Sequence, residues 1–169
     1  MSITHMEARH RILAMVPACK GWTRYEDVAQ SGKDPPWIVL KFIENQRLTT
    51  ESLAVTTKLA TLEIRVVGDT ADGIGVICDK MCDALQGAWP GRPFGRISLD
   101  VDSGVYPSEL VSTVTNLPFL MRVLRFRVSW AACWPPHQNC SIGLPHTTGD
   151  LLFKEASCPI PFPRISKMA

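Results

Sequence analysis

Cys133, His137 and Cys140 are spaced as Cys-x-x-x-His-x-x-Cys, and His146 and Cys158 follow in the same stretch. Thiolates and imidazoles are the ligands zinc prefers, so this is the one segment whose residue types suit a metal. The spacing is that of no established zinc family, and no Cys-x-x-Cys occurs in the chain. Pro135, Pro136 and Pro145 lie among the candidate ligands and restrict their geometry. A centre on Cys133, His137 and Cys140 is therefore a minor alternative, and no cofactor is expected.

Nucleophilic and phosphate chemistry have less to work with. No Gly-x-Ser-x-Gly elbow is present. His5 and His10 fall on a surface-leaning helix, and His137 and His146 fall in a proline-rich segment, so none has a recognisable catalytic setting. Gly68, Gly73 and Gly75 lack the Gly-Lys-Ser/Thr ending of a phosphate loop. Asp69, Asp72, Asp79 and Asp83 run along one helix, where a helix cap plus a solvated face accounts for them better than a cation site does. The sequence predicts no catalytic residues and a protein that is not an enzyme.

The remaining chemistry is a set of arginines. Arg122, Arg125 and Arg127 read as a basic strip on one strand with no acid close by in sequence. Such a strip either binds an anionic partner or pairs with carboxylates across strands, as Glu63 beside Arg65 offers. Pairing, or a subunit contact, is the expectation. Phe126 and Trp130 share a face with Leu124 and Val128, so the core claims them and they are not free to stack on bases.

These residues are positioned by a strand-turn-helix at 59–88. Leu62, Ile64 and Val66 alternate with Thr61, Glu63 and Arg65, the period of a half-buried strand. Ile74, Ile77, Cys78, Met81 and Leu85 then recur at three and four, the apolar stripe of a helix. Gly68 permits the turn, Asp69 or Thr70 caps the helix, and Gly87 with Pro90 ends it. Residues 4–16 predict a helix with a Thr4/Glu7 capping box, Met6, His10, Leu13 and Pro17 marking one side and Ile12 and Met15 close to it. Residues 20–36 form a loop with room for a short strand at 22–25, and 37–43 form a strand. Residues 44–58 are polar and rich in threonine, so they are either a long β-arm or a loop. Strands follow at 96–102, with Ile97, Leu99 and Val101 inward, and at 120–130, separated by a long connection.

The expected fold class is α+β, a two-layer sandwich of order α-β-β-α-β-β, its antiparallel sheet made of two strand pairs and carrying helices on one face. Residues 1–132 make this core domain. Residues 133–169 hold six of the thirteen prolines, together with Leu144, Leu151, Leu152, Phe153, Ile160 and Phe162. That composition favours an extended arm docked on a surface over a solvated tail.

Overall composition is that of a globular domain with a formal charge of +2, which gives no general reason to expect nucleic-acid binding. No apolar run approaches the roughly 20 residues of a membrane span, and the N-terminus lacks the apolar centre of a secretory signal. Six cysteines in that context predict free thiols in a reducing compartment. Cys78 belongs to the apolar stripe and reads as a small buried hydrophobe.

Taken together, residues 3–132 resemble a tail terminator (tail completion) protein of long-tailed bacteriophages. The likeness lies in the helix 4–16, the strand 37–43, the polar arm 44–58, the run 62–73 leading into the helix 79–85, and the closing strand 122–130. It rests on element order and texture, and the segment after residue 132 departs from it. The resemblance implies a structural virion protein, assembled in the host cytoplasm and located at the tail–neck junction. It implies a homo-oligomeric ring, commonly of six subunits, seated on the tail tube protein, halting tube growth and meeting the head–tail connector. Phage DNA would pass through the lumen without specific binding. Interfaces would then carry the function, with Arg122, Arg125, Arg127, Glu63 and Arg65 on the core and Leu151, Phe153 and Phe162 on the arm. The alternative is an intracellular anion- or nucleic-acid-binding module using the basic strand.

Overall fold

The computed structural model describes residues 3–49 and 55–132. Its elements are α1 (His5–Ala14), β1 (Thr23–Glu26), β2 (Trp37–Thr49), β3 (Val55–Gly68), α2 (Ala71–Leu85), β4 (Ser98–Val111) and β5 (Pro118–Ala131). The fold is α+β: five strands form one mixed sheet in the order β1-β2-β3-β5-β4, with two helices.

Two features differ from the expected α-β-β-α-β-β order with an antiparallel sheet. β1 is a full strand, and it pairs parallel to β2, with Thr23 opposite Trp37 and Glu26 opposite Leu40. Its four residues are mostly exposed and carry no alternation, so their own periodicity predicts little. Long-range bonds hold it instead. The Arg24 guanidinium donates to the carbonyl of Leu13 in the last turn of α1 and to that of Val16 just past it, at 2.9 and 3.5 Å, which supplies donors to carbonyls at a helix C-terminus. The second difference is that the strands do not stay as two separate pairs. β3 and β5 pair along nearly their whole length, from Thr57 opposite Ala131 to Gly68 opposite Leu120, and join the pairs into one sheet.

The alternation of β3 and β5 decides which face is buried. Leu62, Ile64 and Val66 are fully buried with Leu124, Phe126, Val128 and Trp130. The same cluster holds Ile74, Ile77, Cys78, Met81 and Leu85 of α2 and Ala8, Ile12 and Leu13 of α1, so both helices share a core with one face of the sheet. Thr70 caps α2 by accepting from the Gly73 amide. Thr4 accepts from the Glu7 amide, but Glu7 turns its carboxylate to Arg11 four residues on, at 2.8 Å, so only half of the expected capping box forms. The side marked out on α1 is buried only in part: Ile12 and Leu13 are buried as read, while Met6 and His10 are exposed. Met6 is 56% exposed, and the buried side centres on Ala8 and Ile12. The small Ala8 side chain lets the helix backbone approach the sheet, which a Met6-centred face would prevent.

Gly68 joins β3 to α2 under the Trp22 ring. A Cβ there would lie 2.8 Å from Trp22 Cη2, and Trp22 is packed against the core. Gly68→Ala is expected to cost about 1–3 kcal/mol through this overlap, read as a lower denaturant midpoint. An unchanged midpoint would show that the ring moves aside freely.

The ends of the sheet carry the remaining corrections. Residues 44–49 and 55–58 are paired strand, so the β-arm reading applies to the described part; residues 50–54 lie outside it. The arm is shorter than expected because β5 flanks β3 as far as Thr57. Residues 103–111, expected as a connection, belong to β4, which returns through a turn at 112–117 into β5. Three register shifts explain why period-two reading failed there. The first, between Leu99 and Val101, sets Val101 opposite Arg125, and Val101 is 41% exposed where it was expected inward.

Candidate functional site

The face of the sheet away from the helices carries the charged residues that the sequence singled out. Cross-strand register aligns Lys41, Glu63 and Arg125 in one row, and Thr61 with Arg127 in the next. Glu63 is only 5% exposed and is held from both sides. Arg65 donates to its Oε1 at 2.7 Å and Arg125 to its Oε2 at 2.8 Å. Arg127 pairs with Asp100, which the first bulge of β4 brings alongside. Toward β1, the same face turns apolar, where Trp37, Val39, Val67 and Phe119 are buried against Tyr25, Ala29 and Met121.

Arg122 is elsewhere. It has the parity of Leu124 and Phe126 along β5 and therefore lies on the helix side, opposite Val66 and Val105. There it grips Asp102 with two parallel hydrogen bonds of 2.9 and 2.6 Å, the bidentate geometry guanidinium favours. The expected strip of Arg122, Arg125 and Arg127 is thus divided between two faces. Strict alternation in the sequence already carries that signal. The expected pairing with carboxylates across strands does form, since each of the three arginines has a carboxylate partner on a neighbouring strand. Asp100 and Asp102 were missed because bulges, which leave no mark in a period-two pattern, determine what they face.

These pairs have an electrostatic consequence. Burial alone would push the Glu63 carboxyl up, but Arg125 and Arg65 together outweigh it and hold it below the usual carboxylate range. The Arg122 hydrogen bonds hold Asp102 low. Glu44 is also lowered, its burial outweighed chiefly by Arg47 at 2.6 Å. A carboxylate depressed in the folded state stabilises the fold above its unfolded pKa, and that contribution disappears as pH falls through the folded value. Stability is therefore expected to hold from neutral pH to about pH 5 and to drop below it, and Glu63→Gln should flatten part of that acid limb. Urea midpoints across the range check this; an acid limb identical in the Glu63→Gln protein would contradict it.

A second set of residues stands out by exposure. The β4–β5 hairpin extends past the end of β3 at Gly68. Val105, Tyr106, Leu110 and Val111 are exposed along it, and at its turn Val114 and Leu117 are 89% and 65% exposed. A groove of about 580 Å³ runs at its base, lined by Asp69, Ser112, Thr115, Leu117, Phe119 and Leu120. It offers apolar contact, the hydroxyls of Ser112 and Thr115 and the Asp69 carboxylate. The β2–β3 arm lies at the opposite end of the same sheet, because β5 runs antiparallel to β3.

Among the described residues, no group of three His, Cys, Asp or Glu side chains is placed to hold a metal ion. Cys78 is fully buried, and burial pushes its thiol up to about 12, so it stays protonated as a core residue. The metal candidates Cys133, His137 and Cys140, and the arm residues Leu151, Phe153 and Phe162, lie outside the described residues. No model of a known family matches the chain, and no curated protein matches its sequence.

Proposed function

We propose that this chain is a structural protein of a bacteriophage virion, which closes on copies of itself as a ring, commonly of six, caps the tail tube and joins the tail to the head-side connector. The observation that carries the reading is the end of the β4–β5 hairpin, which projects past β3 with Leu110, Val111, Val114 and Leu117 exposed. An apolar projection of this kind is a liability on a free monomer and is what a subunit presents to a neighbour. A polar β-arm at the other end of the sheet gives the molecule two unlike ends. Unlike surfaces make head-to-tail contacts, and those close into rings when the rotation between copies allows. The reading also rests on the tail-terminator resemblance of the helix, the strand leading into an arm, the strand-turn-helix and the two closing strands, to which the observed fold adds the parallel strand β1. The proline-rich segment after residue 132 serves in this proposal as an inter-subunit or neck-protein clamp, on the strength of its composition alone.

DNA would pass through the lumen without specific binding, an arrangement favoured by a chain of nearly balanced charge. The competing reading, an anion- or nucleic-acid-binding module, requires Arg122, Arg125 and Arg127 to act together as one basic strip. Arg122 lies on the helix side of the sheet and Arg125 and Arg127 on the open face, so it is not carried further. The proposal is tested by the mass of the purified protein in solution. A closed oligomer of defined size is expected; a monomer at every accessible concentration would refute it.

A further inference from the structure

Two surfaces of the molecule carry opposite charge, the open face of the sheet and the outer stripe of α2. On the open face of the sheet, Lys41, Arg65, Arg125 and Arg127 stand against Glu63 and Asp100, which leaves two positive charges in excess. All four cations are exposed. On the other side, α2 buries Ile74, Ile77, Cys78, Met81 and Leu85 against the sheet and turns Asp72, Val76, Asp79 and Asp83 outward. Their spacings of four, three and four place them in one stripe along the helix, and all four are exposed. None of the three carboxylates forms an ion pair among the described residues. Lys80 stands next to the stripe, with its ammonium donating to the Ala18 carbonyl at 2.9 Å. The stripe therefore carries two negative charges in excess, equal and opposite to the sheet face.

We infer that the open sheet face of one copy docks against the acidic α2 stripe of the next, a deepening that rests on the ring proposed above. Three physical points carry it. The charges match in sign and number, and complementary potentials fix which surfaces meet. Each surface also has an apolar element for its partner: Val76 is central in the acidic stripe, and Ile43 and Val101 are exposed on the basic face. Finally, either face meeting itself would set like charges together, so the matching disfavours a two-fold dimer and selects the face-to-back contact that a ring needs. Buried Glu63 holds Arg65 and Arg125 in place, so the cations are presented in a fixed geometry before docking.

Charge reversal tests this on the full-length protein. One variant carries Lys41→Glu with Arg127→Glu, a second carries Asp79→Lys with Asp83→Lys, and a third carries all four changes. All four positions are exposed, and circular dichroism with a denaturant midpoint reports whether each variant remains folded. At about 0.05 M salt, where exposed charges are least screened, each double variant is expected to need at least about tenfold more protein for half-assembly. The fourfold variant, and an equimolar mixture of the two doubles, should recover assembly. If folded double variants assemble like the parent, the inference fails while the ring reading stands. Failure of the folded fourfold variant to recover also overturns it. A parent chain that never assembles removes the ring reading, and this inference falls with it.

Discussion

Trp130→Ala is expected to lose about 3–5 kcal/mol, the largest stability change of any single substitution proposed for this fold. Trp130 is 1% exposed and sits between the rings of Phe42 and Phe94, with centroids at 6.1 and 5.9 Å. Truncation removes both ring contacts and leaves a cavity at the end of the core where β3, β5 and the Phe94 bridge meet. A domain of this size holds only about 5–15 kcal/mol in total, so a large share of its stability would go. Trp130→Phe should behave differently. The indole Nε1 is buried without an acceptor among the described residues, and an unpaired buried donor costs about 1–3 kcal/mol. Phenylalanine removes that donor while keeping a ring, so its loss should be well below half that of alanine. Urea unfolding of both variants checks the pair; equal losses would mean that the indole N–H is satisfied or that the cavity does not dominate.

Val114→Asp combined with Leu117→Asp is expected to abolish self-assembly and leave the fold intact. Both side chains project from the β4–β5 turn into solvent, so the folded monomer gives up almost no burial. In an assembly that covers the turn, two carboxylates would enter an apolar contact without partners, at a cost of several kcal/mol per subunit interface. A penalty of that size at every interface of a closed ring reduces the closed form below detection at concentrations where the parent is fully assembled. Light scattering behind size exclusion reads the assembly, and the urea midpoint reads the fold. Parent-like assembly would show that the hairpin faces solvent in the oligomer too.

The core was legible in the sequence where one periodicity persisted. Leu62 to Val66 and Leu124 to Trp130 alternate without interruption and lie on the buried face as read, and the stripe from Ile74 to Leu85 is buried throughout. What the sequence concealed depends on partners remote in the chain. β1 has no alternation of its own and is held by Arg24 reaching past the end of α1. β4 is interrupted by three register shifts, and each of the first two adds one residue and turns those beyond it to the other face, which is why Val101 was misplaced and Asp100 and Asp102 were overlooked as partners. The division of the arginines was legible and was missed: Arg122 stands an even number of residues from Leu124, while Arg125 and Arg127 stand odd. The candidate surfaces were half legible. Composition pointed to Glu63 and Arg65 as a pair, but the exposed hairpin depends on how far β4 and β5 outrun β3, a length that no local pattern encodes.

Tube-capping is the central claim, and electron microscopy of growing tail tubes tests it most directly. Polymerising tail-tube protein would be mixed with the purified chain, with tubes grown alone as the control. The account predicts six-fold rings of the chain seated at one end of each tube and tubes that stop lengthening once capped. Tubes that keep growing with bare ends, beside protein that stays dispersed or binds along their walls, would contradict it.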